Sequence, residues 1–399
     1  MINTNPQKID EILIRGVGEA IIKEHLQERL SRGEKLRIKF GIDPTGSVLH
    51  LGHAVCLLKL RELQDVGHQI IFLIGDFTAK IGDPTGRTSA RTPLTEKQIK
   101  ENMKNYRKQA GLILDLRKVE VRYNSEWWNK MNLGEMMQLS MKVTYSQVSA
   151  REDFKKRLAE DKDFTVEEFL YPVLQGYDSV ALKSDVEIGG TDQKFNILMG
   201  RQIQKRYGQE PQDVITIPLL EGLDGKEKMS KSLGNYISIV DEPFDMYGKI
   251  MSLPDSLILR YFELCTRVSA EEISQIKKIE NPRNQKMVLA KEVVRMYHGE
   301  KLALKAEEEF NKIHRDKELP SDMPIFETEK VNYPPLDLLF DAKLSVSKNE
   351  AKRLIEGGGV EIINGEIKQR VEDWKKEINL KDGDIIKVGN RKFIKISIS

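Results

Sequence analysis

Apolar, β-branched runs of strand length recur through the first half of the chain, at residues 36–42, 69–75, 118–123, 185–188 and 214–218. Between them apolar residues fall at helical spacing, and this alternation of periods predicts an α/β layer on a parallel sheet. One stretch departs from the pattern. From about residue 125 to 180 the chain reads as consecutive helices, MNLGEMMQLSMKV and TVEEFLYPVLQGY among them, which predicts a helical insertion between two halves of the sheet. After about Gly222 the pattern is mainly helical: Ser269-x-x-Glu272 is a capping box, and residues 283–299 and 301–314 carry apolar positions at helical spacing. Residues 317–335 hold Pro320, Pro324, Pro334 and Pro335 among polar neighbours and read as a linker. Beyond them come two helices, the second capped by Ser347-x-x-Glu350, and the short strands VEIIN, DIIKV and KFIKISI. The expected parts are 1–222, 223–330 and 331–399: an α/β layer with its insertion, an all-α region and a small α+β module.

Composition narrows the class. A chain of 399 residues, 39% hydrophobic and 32% charged, exceeds one ordinary core and is too apolar to be disordered. No apolar run approaches the ~18 residues of a membrane-crossing helix, and the N-terminus has neither a signal nor a transit pattern, so a cytoplasmic protein is expected. Cys56 and Cys265 form no C-x-x-C pair, which argues against a disulfide framework and a zinc site; no protein-built metal site is expected. A net charge of +2 leaves nucleic-acid binding open.

Candidate chemistry begins at His50-Leu51-Gly52-His53, after a strand and the turn Asp43-Pro44-Thr45-Gly46 and before an apolar helix. Free N–H groups at a helix N-terminus, two imidazoles and a glycine that admits close approach suit a phosphate. Lys228-Met229-Ser230-Lys231-Ser232 lies in a polar, glycine-flanked loop after the last strand of the layer. Its lysines can close over a triphosphate and neutralise charge on a departing pyrophosphate. Each motif alone is equally an ordinary polar loop, but their order brackets one nucleotide site. A Walker A sequence is absent, and Gly16-x-Gly18 lacks a third glycine and a preceding strand, so kinase, GTPase and dehydrogenase readings fall away. Between the motifs, Tyr171-x-x-x-Gln175-x-x-Asp178 places three polar groups on one helix face, near Gly189-Gly190-Thr191-Asp192-Gln193 after a strand. A carboxylate there can accept from a phenol hydroxyl that phenylalanine lacks.

H-x-G-H followed by K-M-S-K-S resembles the signature of class I aminoacyl-tRNA synthetases. With the Tyr171, Gln175 and Asp178 helix, the chain resembles the bacterial tyrosyl-tRNA synthetases from about Gln7 to Ile398, and residues 344–366 are similar to an S4 RNA-binding domain. The resemblance implies a Rossmann-like catalytic domain, an α-helical anticodon-side domain carrying the KMSKS loop, and an S4-like domain. It also implies ligation of tyrosine to tRNA(Tyr) through an adenylate, with ATP as substrate accompanied by Mg2+. Asp178 would bind the tyrosine hydroxyl; Tyr171, Gln175 and Asp83 would hold the ammonium group with Thr78 nearby, and Gln193 would sit by the carboxylate. Gly190 and Asp192 would meet the ribose. Thr45 and His50 would contact the γ-phosphate and His53 the ribose side, while Arg87, Arg91, Lys228 and Lys231 would hold the pyrophosphate. Gly41, Asp43, Gly52, Met229, Ser230 and Ser232 complete the implied ATP site.

Lys348, Lys352 and Arg353 are the implied RNA contacts, although residues 336–399 carry 13 basic and 11 acidic residues and charge alone would not name an RNA binder. A homodimer joined through the insertion, with its Met131, Met136, Met137 and Met141, is also implied; from the sequence itself core is the safer reading of these methionines. Two positions depart from the family pattern, Lys39 for a pocket tyrosine and Phe40 for a cysteine. If Lys39 points inward, a phenol could donate to Asp178 and accept from Lys39; if it points away, recognition rests on Asp178. The tryptophanyl enzyme is the nearest alternative, though an indole offers only a donor and an S4-like tail is not expected there. An RNA-binding protein without aminoacylation would be expected to lose signature residues, yet His50, His53, Lys228, Lys231 and Asp178 are all present.

Overall fold

Six strands form the first sheet: β1 (Glu19–Ile21), β2 (Arg37–Ile42), β3 (Gln69–Ile74), β4 (Val119–Tyr123), β5 (Val186–Gly190) and β6 (Asp213–Ile217). The computed structural model describes residues 2–85, 94–162, 165–313, 319, 323–365, 367–389 and 392–398. Strand order is β1-β6-β5-β2-β3-β4, parallel except for β1, which runs antiparallel to β6 at the edge. β3 and β6 are nearly continuous apolar runs because helices cover both faces of such a sheet. The Leu51–Asp65 helix, for example, buries Leu51, Ala54, Leu57, Leu60 and Leu63.

The chain leaves β2 for β3 and β4 on one side, then returns to β5 and β6 on the other, so the order reverses between β2 and β5. In open α/β sheets the crevice at such a reversal, beyond the strands' carboxyl ends, is where ligands bind. The return from β4 to β5 runs through the expected helical insertion, which ends in the Val166–Leu182 helix; Asn132, Thr144 and Thr165 cap three of its helices.

By compactness the chain divides into two units: residues 1–241 with 249–297, and residues 242–248 with 298–399. In the second unit β7 (Ile325–Thr328), β9 (Val360–Asn364), β10 (Ile367–Arg370), β12 (Ile385–Val388) and β13 (Lys392–Ile398) form a sheet of order β10-β9-β12-β13-β7, beside a pair made by β8 (Asn332–Tyr333) and β11 (Ile378–Asn379). The Pro335–Asp341 and Lys348–Glu356 helices share its core through Leu338, Leu339, Ala351 and Ile355, packed with Val360, Ile386 and Ile396.

The stretch read as a linker is a correction. It holds β7, paired parallel to β13, and β8, and its prolines sit at element boundaries: Pro324 just before an edge strand and Pro335 at the first turn of a helix, where a missing N–H is harmless. Pro320 lies outside the described residues.

Candidate active site

A cleft of about 900 Å³ opens at the β2/β5 reversal, lined by the ends of β2, β3 and β5, the start of the Leu51–Asp65 helix, the Val166–Leu182 helix and the loop around Lys228. All described residues assigned to tyrosine or ATP from the sequence line it, from Lys39 to Ser232. Arg87 and Arg91 lie outside the described residues. Lys348, Lys352 and Arg353 belong to the second unit, on the Lys348–Glu356 helix.

At one end, His50 precedes the Leu51–Asp65 helix in extended conformation and its backbone N–H donates to His53 Nδ1 at 3.2 Å. His53 therefore carries its neutral-state proton on Nε2, as a donor. The rings lie 3.8 Å apart. Desolvation, each other and Lys231 push His50 down to about 2; desolvation and Lys231 push His53 to about 3, so both are neutral hydrogen-bonding groups at physiological pH. The buried His50 Nδ1 has no protein partner among the described residues.

Among the described residues, positive charge at this end comes from the loop instead. Lys231 Nζ donates to Val48 O at 2.8 Å, and desolvation lowers it to about 8; Lys228 Nζ sits 2.8 Å from Asp192 Oδ2. The loop is held down by Met229 N–H to Leu220 O and Ser230 N–H to Asn235 Oδ1, both 2.8 Å. Gly46 makes room for this arrangement, since a Cβ there would lie 2.5 Å from Lys231 Nζ.

At the other end, buried Asp178 accepts from Trp127 Nε1 (2.8 Å), Trp128 Nε1 (2.9 Å) and Asn124 Nδ2 (3.3 Å). A carboxylate has about four lone-pair sites, so one acceptor position on Oδ2 remains. Burial nevertheless raises Asp178 to about 6, against the lowering effects of Lys39 and its three donors. Asp43 accepts from Thr78 Oγ1 (2.7 Å) and Tyr171 OH (2.9 Å), and desolvation raises it to about 7. A side chain at Gly75 would run into both Asp43 and Thr78. Asp83 accepts from Gln193 Nε2 (2.5 Å) and Thr85 Oγ1 (2.6 Å), with the Arg151 guanidinium 3.7 Å away.

Lys39 resolves differently from either alternative. Its side chain is fully buried and makes three contacts, to Glu187 Oε1 (2.9 Å), Ser179 Oγ (2.7 Å) and Gln175 O (3.3 Å), which use all three ammonium protons. No proton remains for a phenol oxygen.

Sequence reasoning missed Asn124, Trp127, Trp128, Ser179 and Glu187. The signal for the first three was present as Asn124-x-x-Trp127-Trp128, donors placed just after a strand of the sheet.

The family model described as tRNA synthetases class I (W and Y) matches residues 31–315. The chain belongs to this class I synthetase family. It is 48% identical over 398 residues to a tyrosine–tRNA ligase of Thermotoga maritima, covering 98% of each chain, and 46% identical over 404 residues to tyrosine–tRNA ligase 2 of Clostridium acetobutylicum, covering 98% of this chain and all of that one. Among solved structures, this W and Y family synthetase shares its fold with a C-terminally truncated mitochondrial tyrosyl-tRNA synthetase of Aspergillus nidulans: TM-score 0.66, 24% identity, covering 77% of this chain and 94% of that one. The tyrosyl-tRNA synthetase of Archaeoglobus fulgidus complexed with L-tyrosine matches with TM-score 0.60 at 23% identity, covering 76% of this chain and all of that one. Among the described residues of the synthetase no helix is long and apolar enough to cross a membrane.

Proposed function

We propose that the chain is an AMP-forming tyrosine:tRNA ligase. The observation that carries this reading is Asp178, a buried carboxylate at the closed end of the cleft, fixed by three N–H donors and left with one open acceptor position. Tyrosine lies with its hydroxyl on Asp178 and its ammonium group among Asp83, Gln175 and Tyr171, with Thr78 beside them. Gln193 directs the carboxylate toward the nucleotide.

A tyrosine carboxylate oxygen attacks the α-phosphorus of ATP, the bond to the β-phosphate oxygen breaks, and pyrophosphate leaves. The terminal ribose hydroxyl of tRNA(Tyr) then attacks the acyl carbon and AMP departs. No protein nucleophile is required, so the residues orient the reactants and stabilise charge on the leaving phosphates. Neutral His50 and His53 donate hydrogen bonds, with Thr45, to phosphate and ribose oxygens. Lys228 and Lys231, joined by Arg87 and Arg91, supply the positive charge. Gly190 and Asp192 take the ribose, which requires Lys228 to leave Asp192 for the phosphates. Gly41, Asp43, Gly52, Met229, Ser230 and Ser232 frame the nucleotide. Mg2+ enters as part of the ATP substrate; among the described residues no cluster of His, Cys, Asp and Glu is available to hold it.

The division into 1–222, 223–330 and 331–399 is proposed as catalytic, anticodon-side and RNA-binding parts, working in the cytoplasm. Lys348, Lys352 and Arg353 contact tRNA phosphates. Lys348 is now 2.5 Å from Asp337 and Lys352 3.7 Å from Glu356, exposed pairs weak enough to exchange for phosphate. A homodimer is supported by exposed Leu133, Met137, Met141, Tyr145 and Val166 on the insertion. The test is amino-acid-dependent exchange of labelled pyrophosphate into ATP without tRNA. Exchange with tyrosine alone is expected; exchange with tryptophan would move the assignment to the sister enzyme, and none from folded, ATP-binding protein would end it.

A further inference from the structure

Lys39 and Glu187 are a charged pair with no access to water, at 0% and 2% exposure. They are register neighbours across the β2/β5 reversal, so both project to the same face of the sheet, beneath the Val166–Leu182 helix. Glu187 also accepts from Ser179 Oγ at 3.1 Å and from Gln212 Nε2. Together the two charges grip that helix at the Gln175 carbonyl and the Ser179 hydroxyl, on either side of Asp178 in sequence. Such a pair is weak as a source of stability, because desolvating both charges offsets their attraction, and losing one partner strands the other. Its placement calls for another role.

We propose that Lys39 and Glu187 form a positioning and charge-setting pair for tyrosine selection: Lys39 never touches the phenol but holds the Asp178 carboxylate in place and ionised. This rests on the reading of Asp178 as the hydroxyl acceptor. Lys39 is the cation that favours the charged form of Asp178, whose burial otherwise raises it to about 6. The groups facing Asp178 from the packed elements are Lys39 on β2, Asp43 after β2, Tyr171 on its own helix, and the uncharged Asn124, Trp127 and Trp128 after β4; Glu187 on β5 meets Lys39 rather than Asp178. Asp43, raised to about 7, titrates in the same range. Its effect is shared by tyrosine and phenylalanine, so the ratio of their kcat/KM values isolates the hydroxyl and its acceptor.

The test is the pH dependence, from 5 to 8.5, of that ratio in pyrophosphate exchange by the full chain, using phenylalanine freed of tyrosine. The wild-type ratio falls below about pH 6 as Asp178 takes up a proton. Lys39→Met leaves Glu187 alone and moves the fall upward; a move of about one pH unit lowers the ratio at pH 5.5 a further eightfold or so. Glu187→Gln leaves Lys39 alone and moves the fall downward, and the double variant returns it toward the wild-type position. Opposite movements in the two single variants support the pair. Loss of preference by the same factor at every pH in Lys39→Met would make Lys39 a direct ligand, and unmoved midpoints would make the pair purely structural; either overturns the proposal. If Lys39→Met does not fold, Glu187→Gln decides by its downward shift alone. Asp178→Ala, which leaves no acceptor, separates the two readings. A retained tyrosine preference removes Asp178 as acceptor and the proposal with it, whereas lost preference with unmoved midpoints in the pair variants overturns only the proposal.

Discussion

Replacing Asp43 by Asn tests how the cleft's desolvation is distributed, through the pH dependence of stability. Asp43 ionises at 3.8 when exposed and at about 7 in the fold, where desolvation outweighs the hydrogen bonds from Thr78 and Tyr171. The folded chain therefore holds this proton over a pH range in which the unfolded chain has released it. Stability contributed by the group rises as pH falls through 7 and reaches its full value only below 3.8. Between pH 8 and pH 5 the gain from this one carboxyl is about 2.5 kcal/mol. Asn cannot titrate and offers one carbonyl oxygen to two donors, which costs about 1–2 kcal/mol at every pH. At pH 8 the variant is thus expected to match or exceed the wild type, and at pH 5 to fall below it. Urea unfolding at pH 5, 6.5 and 8, followed through Trp127 and Trp128 in the same unit, measures the difference. Distant carboxyls contribute equally to both proteins and cancel, whereas Asp83 and Asp178, which raise Asp43, lose its repulsion in the variant and enlarge the difference in the same sense. A wild-type-minus-variant difference that stays constant across the three pH values would refute the reasoning.

Asp178→Ala removes a charge-assisted acceptor worth about 1.5–3 kcal/mol, so the kcat/KM preference for tyrosine over phenylalanine is expected to drop roughly 10- to 100-fold. It also orphans three buried N–H donors, so a lower melting temperature accompanies it. Lys228→Ala is expected to slow pyrophosphate exchange by about 10²-fold with the KM for tyrosine little changed, and a matching rise in that KM would contradict a role at the leaving phosphates. Reversing Lys348, Lys352 and Arg353 to Glu should abolish tRNA charging while exchange continues. This is a cleaner cut than deleting residues 336–399, which would strip β13 from β7. Leu133→Lys with Met141→Lys should convert a dimer into monomers in sedimentation, and an unchanged mass would place the interface elsewhere.

The expected strands of the first sheet coincide with β2 to β6 to within a residue or two, because a sheet covered on both faces writes itself as short apolar runs with turn residues at their ends. β1 left no such mark: three residues, Glu19–Ile21, carry no readable period. β7 was hidden by its prolines, which delimit an edge strand as readily as they fill a linker. The lining of the cleft was legible in the two signature loops and the Tyr171 helix. It was illegible where charge is interior. In β2 and β5 the charged residues Lys39 and Glu187 stand between apolar neighbours, an alternation that elsewhere marks a solvent-facing side. Only the pairing of the two strands shows that the polar positions meet each other beneath a helix.

The ionisable groups of the cleft also sort by end, and this bears on direction. Two histidines in the proposed phosphate-binding signature would be expected to add positive charge, yet both are held neutral, and among the described residues the cations there are Lys228 and Lys231 on the loop. At the far end Asp43, Asp83 and Asp178 gather around the Tyr171 helix, with Lys39 turned away into its pair with Glu187. On the proposed reading, an amino acid entering the cleft meets acceptors for its ammonium and hydroxyl groups at that end. Its carboxylate is then left pointing toward the lysines, where the nucleotide phosphates are drawn. On the proposed reaction, the nucleophile and the α-phosphorus meet between two fields of opposite sign, with Lys231 already bonded to Val48 O and Lys228 paired with Asp192 until the nucleotide draws it away. Immobile cations at His50 and His53 would instead attract the tyrosine carboxylate before ATP arrived. Their neutrality therefore favours an ordered assembly of the two substrates over trapping of one by the other's site.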